Sequence, residues 1–279
     1  MRSEPFQLPL ADGVLHGHAE GDGSLPALLL HGGPAVPDYT EGCALELSPF
    51  FSTIRYTQRG TPPSSVVPPY SIEAHVADAL AVLDAFELER AWAIGHSFGG
   101  HLALHLAVAH PERLQGIVCV DPLGADGAIL AELDANLRRS LTEEQIARVE
   151  EIEAARRAGT ANESDLVERY GLLWPLYFAR PETATPAPAR VGVHCSTDTN
   201  RSISEHFERG TLVEGLRDVR LPALFVHGLE DPLPPRASTD TAALIEGAVV
   251  ATIPDCGHFP WWERPGELGR AVERFLAAR

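Results

Sequence analysis

Residues 90 to 100 read Arg90-Ala91-Trp92-Ala93-Ile94-Gly95-His96-Ser97-Phe98-Gly99-Gly100, an apolar run that passes into Gly-x-Ser-x-Gly and then into a helix-like stretch from His101 to His110. A serine at so sharp a strand-to-helix turn needs small neighbours, and Gly95 and Gly99 let the backbone fold tightly around it. Ser97 would then stand exposed at the end of its strand. The same glycines would also fit an ordinary βα turn in which Ser97 only caps the helix. The flanking strand and helix favour a nucleophile elbow instead.

A serine hydroxyl is a weak nucleophile and needs a base, an acid to orient that base, and donors for the developing oxyanion. Near the C-terminus, the β-branched run from Ala248 to Ile253 ends in Pro254-Asp255-Cys256-Gly257-His258-Phe259-Pro260, which puts His258 on a loop after a strand. His258 is the candidate general base. Upstream, Pro222-Ala223-Leu224-Phe225-Val226-His227-Gly228 reads as a buried strand followed by Leu229-Glu230-Asp231-Pro232. Asp231 is the candidate orienting acid. Asp121, one strand earlier, is its rival, and the surrounding Gly228 and Pro232 favour Asp231.

For the oxyanion, Ala27-Leu28-Leu29-Leu30 runs into His31-Gly32-Gly33-Pro34, where glycines free backbone N–H groups to approach a substrate oxygen. Gly33 and Phe98 are the expected donors. Pro34 has no N–H and stiffens the loop, and His31 is expected to brace it. His101 and His105 have the i, i+4 spacing of metal ligands but lack the H-E-x-x-H pattern, so helix packing is the better reading and no metal is expected.

With these motifs in hand, the chain resembles the α/β-hydrolase superfamily over nearly its whole length, whose members supply their triad in the order Ser97, Asp231, His258. Within it, the sequence looks most like prolyl aminopeptidase-related serine hydrolases and esterases, through His31-Gly32-Gly33-Pro34, Tyr56-Thr57-Gln58-Arg59-Gly60, the elbow, and Gly257-His258 with Trp261-Trp262. It departs from prolyl aminopeptidases at Thr57, at Ala35 and in the Gly-His-Ser-Phe-Gly form of the elbow. That form is common among related esterases, lactonases, carbon-carbon bond hydrolases and perhydrolases. The resemblance implies a two-step acyl transfer that cleaves an ester or amide of a small molecule or short peptide, with no cofactor. A prolyl aminopeptidase-like exopeptidase is the first alternative. A non-catalytic ligand receptor on the same fold is the alternative of another class.

At 279 residues and 44% hydrophobic, the chain is long enough for one large α/β domain with an insertion. A net charge of −17 argues against binding nucleic acid or an anionic membrane. No apolar stretch reaches membrane-spanning length, and Met1 to Phe6 does not look like a signal peptide, so a cytoplasmic location is expected. Cys43, Cys119, Cys195 and Cys256 are widely spaced and read as free thiols. Oligomeric state is not legible.

Strands are expected at Phe6 to Leu10 and Val14 to His18 around Asp12-Gly13, then at Ala27 to Leu30, Thr53 to Thr57, Ala91 to Ile94, Gly116 to Val120, Ala223 to Val226 and Val249 to Ile253. Helices at Ile72 to Phe86 and Leu268 to Ala278, alternating with these strands, predict a mostly parallel sheet with flanking helices. The rhythm stops over residues 124–215, where charged helical patterns at Glu143 to Arg157 and Glu163 to Phe178 predict an inserted helical cap, leaving 1–123 and 216–279 as the core domain. Pro181 to Pro188 reads as an irregular connector. Trp174, Tyr177, Phe178 and Phe207 of the cap are candidate substrate contacts. Glu205 and Glu208 read as a solvated helix face.

Overall fold

Apolar runs fully covered on both faces become the central strands of this chain, and the computed structural model describes residues 3–279 of it. Met1 and Arg2, which open the stretch read as lacking a signal peptide, lie outside the described residues. The chain begins with a hairpin, β1 (Ser3–Leu10) and β2 (Gly13–Glu20), turning through Ala11 and Asp12. There follow β3 (Leu25–Leu30), α1 (Glu41–Leu47), β4 (Phe51–Thr57), α2 (Ile72–Ala85), β5 (Ala91–His96), α3 (Phe98–Ala109) and β6 (Leu114–Val120). Five helices intervene: α4 (Ile129–Arg138), α5 (Glu143–Ala158), α6 (Glu163–Leu173), α7 (Val193–Glu208) and α8 (Thr211–Gly215). The chain closes with β7 (Ala223–Gly228), α9 (Arg236–Ala242), β8 (Val249–Ile253), α10 (Pro260–Glu263) and α11 (Glu267–Ala277).

The eight strands form one sheet in the order β1-β2-β4-β3-β5-β6-β7-β8. The hairpin joins it antiparallel through β2 and β4, and the remaining pairs are parallel. Alternation sorts the side chains of the central strands into two layers. Leu28, Leu30, Ala91 and Ala93 face the layer filled by Val76, Val82 and Leu83 of α2 and Leu102 and Leu106 of α3. Ala27, Leu29, Trp92 and Ile94 face the other, filled by Leu47 of α1 and by Leu268, Val272 and Phe275 of α11. Burying each of these large side chains stabilises the fold by about 1.5–3 kcal/mol.

Between the sheet and its loops, two arginines are buried with carboxylates. Arg55 pairs with Glu20 and, at 2.5 Å, with Asp38, while Arg59 grips Asp78 through Nε and Nη2, each at 2.6 Å. Such pairs fix geometry more than they add stability, because desolvation offsets most of the attraction.

The inserted helices carry clear start signals. Thr142 with Gln145 and Asn162 with Asp165 form reciprocal capping boxes at α5 and α6. The sequence predicts α6 to run on to Phe178, but it stops at Leu173 and tightens into a 3-10 turn over Trp174–Tyr177. Pro175 is the cause, since it has no N–H to extend the helix. Pro181–Thr183 forms one further 3-10 turn in a connector otherwise without regular structure. Among the described residues, no helix is long and apolar enough to cross a membrane.

Candidate active site

The elbow is set by backbone crowding. Ser97 adopts φ 55° and ψ −119° between β5 and α3, a conformation that costs a non-glycine residue about 1–3 kcal/mol and persists only where its surroundings enforce it. Its N–H donates to Val120 O at 2.9 Å, and its carbonyl accepts from His101 N at 3.1 Å. A Cβ at Gly99 would land on the Leu30 carbonyl oxygen, and one at Gly95 on the Gly99 carbonyl oxygen. Both glycines are therefore demanded by close approach, whatever Ser97 does.

His258 sits on the loop after β8, buried to 4% exposure, and its Nδ1 lies 2.6 Å from Asp231 Oδ2. Asp231 follows β7, and its Oδ1 accepts the Leu233 N–H at 2.9 Å. Burial pushes the His258 pKa down to about 3. The ring is thus neutral near pH 7, with Nδ1–H facing the carboxylate and Nε2 left as an acceptor. Glu263 holds the loop in place: Oε2 accepts from Gly257 N at 3.0 Å and from Ala179 N at 2.8 Å, and Oε1 accepts from Phe259 N at 3.1 Å. Asp121 does not contact the imidazole; its Oδ1 accepts from Gly228 N at 2.8 Å.

Gly33 lies in the loop after β3, and it and Ser97 line the same cavity. Phe98 opens α3, where the first N–H groups of a helix have no intrahelical acceptor. Its ring is buried in the core beneath. His31 braces this loop: Nδ1–H donates to Gly32 O at 2.7 Å and Nε2 accepts from Gln58 N at 2.9 Å.

A second link joins the loop to the His258 backbone. Gly32 N–H donates to Tyr39 Oη at 3.0 Å, Tyr39 Oη lies 2.7 Å from His96 Nδ1, and His96 Nε2 lies 2.7 Å from the His258 carbonyl oxygen. A carbonyl only accepts, so the proton of His96 is on Nε2 and Tyr39 donates to Nδ1. Burial first, and then the neighbouring His258, lower the His96 pKa and keep that ring neutral. Tyr39 is also ringed by Trp174, Trp261 and Trp262, with centroids 5.8, 6.5 and 6.1 Å away.

Ser97 and His258 open into a cavity of about 490 Å³ roofed by α4 to α7. Its walls are apolar at Leu133, Leu137, Ile146, Leu166 and Leu173, and it holds four arginines, Arg138, Arg156, Arg157 and Arg169. Its three carboxylates are already paired. Asp134 and Glu150 each lie 2.6 Å from Arg138, while Glu153 lies 2.7 Å from Arg156 and 2.5 Å from Arg169.

Of the four aromatic residues singled out in the sequence, Trp174 and Tyr177 line the cavity. Phe178 is instead stacked at 6.2 Å on Trp262, and Phe207 packs 5.1 Å from the His101 ring. Neither lines the cavity: Phe178, just past the 3-10 turn after α6, is buried among Trp174, Phe259 and Trp262, and Phe207 of α7 sits against His101 of α3. Glu205 is exposed, 3.7 Å from Arg209. His101 and His105 face each other at 3.2 Å, and His101 Nδ1 is taken by Gly124 O at 2.8 Å, a packing arrangement.

Sequence reasoning misses Tyr39, Glu263, Arg156 and Arg169. No motif marks the first two, and the arginines look like any solvated helix charge.

Comparison with known proteins agrees with this layout. A family model described as "Alpha/beta hydrolase family" matches residues 27–271. A 2-hydroxymuconate semialdehyde hydrolase of Pseudomonas putida is 28% identical over 272 residues, 93% of this chain and 89% of the relative. A thermophilic esterase from Thermogutta terrifontis superposes with a TM-score of 0.72 at 22% identity, covering 100% of this chain and 99% of that one. A proline iminopeptidase-related protein from Thermus thermophilus does so with 0.66 at 23%, covering 100% and 98%. Strand order, elbow and matched span lead to one conclusion: this chain belongs to the α/β-hydrolase family and is a hydrolytic enzyme.

Proposed function

We propose that the protein is a serine hydrolase that cleaves an ester or amide bond of a small molecule carrying an anionic group, beneath a cap formed by residues 124–215. The observation that carries the reading is one cavity in which Ser97, Gly33 and His258 meet four arginines, with His258 Nδ1 2.6 Å from Asp231 Oδ2.

Ser97 Oγ attacks the carbonyl while His258 Nε2 takes its proton, and Asp231 orients the ring and stabilises the imidazolium that forms. Backbone N–H groups of Gly33 and Phe98 receive the oxyanion. The imidazolium returns its proton to the leaving group, and water attacks the acyl-enzyme by the same route in reverse. Nothing in these steps calls on a metal or an organic cofactor.

The arginines supply the substrate preference. Four guanidinium groups against three carboxylates leave the wall cationic, and the buried Arg169 Nε, although 2.5 Å from Glu153 Oε1, is not aligned to donate a hydrogen bond to it. A carboxylate on the substrate would complete that donor set with charge-assisted bonds. The P. putida relative is named for 2-hydroxymuconate semialdehyde, a compound that carries one carboxylate. An aminopeptidase instead needs an unpaired carboxylate for the free amine, and each carboxylate on this wall is tied to an arginine.

The test compares wild type with Ser97→Ala on a neutral short-chain p-nitrophenyl ester, the mono-p-nitrophenyl ester of a dicarboxylic acid, and proline and alanine p-nitroanilides. Turnover that vanishes in Ser97→Ala, and is fastest on the acid-bearing ester, is the expected result. Preference for the anilides would reinstate the aminopeptidase. Failure of every substrate, with no fluorophosphonate labelling of Ser97, would leave a ligand receptor.

A further inference from the structure

Two carboxyls are buried behind His258, and the mechanism above uses only one. Asp121 directly follows β6 and Asp231 follows β7, its parallel neighbour, so the sheet itself brings them together. Both side chains are wholly excluded from solvent. An oxygen of each and a ring nitrogen of His258 lie within 4.8 Å of one another. That spacing alone does not make a cation site, because His258 Nδ1 and Asp231 Oδ2 are already engaged with each other at 2.6 Å.

The two acids are bonded unequally. Asp231 accepts on both oxygens, from Leu233 N at 2.9 Å and from His258 Nδ1 at 2.6 Å. Asp121 accepts only on Oδ1, from Gly228 N at 2.8 Å, while its Oδ2 is buried with no hydrogen-bond partner. Its backbone takes φ 44° to hold the carboxyl there, with N–H donating to Val226 O at 2.8 Å.

The titratable groups around the pair bring no fixed positive charge. His227 lies 3.7 Å from Asp121 Oδ1 and 3.9 Å from Asp231 Oδ2, but its Nε2–H donates to Leu233 O at 2.8 Å and its Nδ1 faces Ser238 Oγ at 2.8 Å. Burial pushes its pKa down to about 4, so it is neutral near pH 7. The buried Cys256 thiol stays protonated, and Glu263 adds only negative potential. Two anions so close in a dry pocket repel strongly, and one proton is retained. It goes to the oxygen that accepts no N–H.

We propose that Asp121 is a positioning residue for the hydrolytic reaction, holding the pair's single proton on Oδ2 and directing it toward Asp231, so that Asp231 is the one anion set against His258. Burial raises both carboxyl pKa values; the charge of Asp231 raises that of Asp121 further, whereas the Leu233 N–H and the contact with Asp121 lower that of Asp231, in agreement with this assignment. The effect on catalysis rests on the triad reading; the protonation state does not.

Asp121→Asn mimics the protonated acid, since its Oδ1 accepts from Gly228 N and its Nδ2–H₂ donates where the acid's O–H did. Asp121→Ala removes both. Infrared difference spectra of wild type against Asp121→Asn at neutral pH should show a protonated-carboxyl C=O band that shifts in D₂O and is lost in the variant. On the ester turned over by wild type, Asp121→Asn should keep kcat/KM within about threefold, while Asp121→Ala should lose about tenfold or more in kcat with little change in KM. No such band, or an Asp121→Asn loss as deep as that of Asp121→Ala, overturns the proposal. The band is read on the resting protein, so it decides the proton's place even if every ester tried is inert.

Discussion

His96 Nε2 donates to the backbone carbonyl of His258 across 2.7 Å, so the residue preceding the candidate nucleophile holds the main chain of the candidate base. Through Tyr39 the same ring reaches the Gly32 N–H. Replacing it leaves two buried polar groups, the Tyr39 hydroxyl and the His258 carbonyl, short of a partner, each costing about 1–3 kcal/mol. His96→Ala should lower stability by about 2–4 kcal/mol in urea unfolding. On the proposed mechanism it should also lower kcat about tenfold with KM nearly constant, because the candidate nucleophile, base and oxyanion loop fail to meet the substrate in register. Unchanged kcat would show that the link serves the fold alone.

Arg169 should sort substrates by charge. In Arg169→Gln the acid-bearing ester should lose about 10- to 100-fold in kcat/KM, chiefly through KM, while the neutral ester is barely affected. Equal losses on both substrates would mean that the arginine supports the cap rather than binds an anion. Raising ionic strength should weaken the preference of wild type only slightly, since the site is partly shielded from solvent.

Gly99 tests the elbow's sterics without touching its chemistry. In Gly99→Ala the new Cβ meets the Leu30 carbonyl oxygen, a backbone atom that cannot move aside without disturbing β3. A loss of about 3 kcal/mol or more is expected, seen as a large drop in Tm or as insoluble protein. A variant within about 1 kcal/mol of wild type would show that the elbow has more room than its close contacts suggest.

Acid should unfold the protein early. Burial pushes His75 and His258 down to about 3, His101 and His227 to about 4, and His105 to about 2, from an ordinary 6.5. Below 6.5 the unfolded chain binds protons that the folded chain refuses, so stability present above that pH is lost as pH falls toward the folded values. Each such histidine contributes up to about 1.4 kcal/mol per pH unit. Urea midpoints should therefore fall steeply between about pH 6.5 and pH 5. A flat profile across that window would contradict the buried neutral assignment.

How much of this is legible in sequence depends on whether a residue's task is local. The elbow glycines, the strands and the order of Ser97, Asp231 and His258 follow from short-range pattern, and the sheet forms as that pattern predicts. Periodicity alone runs past Pro175 and so overextends α6. Tyr39 and Glu263 matter through contacts with residues far away in the chain or with backbone groups, which no spacing reveals. Phe178 and Phe207 lie outside the cavity lining for a related reason: an aromatic residue has more than one apolar surface to pack on, and the tertiary fold makes the choice.

The ring of indoles around Tyr39 gives the molecule a built-in optical reporter. Of its four tryptophans, Trp174, Trp261 and Trp262 crowd that phenol, while Trp92 is packed between Phe51 and Phe275 in the core. Intrinsic emission is therefore weighted toward the cavity that Tyr39 and Trp174 line. A ligand that enters it, or a shift of the helices above it, should register as a change in fluorescence before any product is formed, so that occupancy can be followed without a label and without turnover.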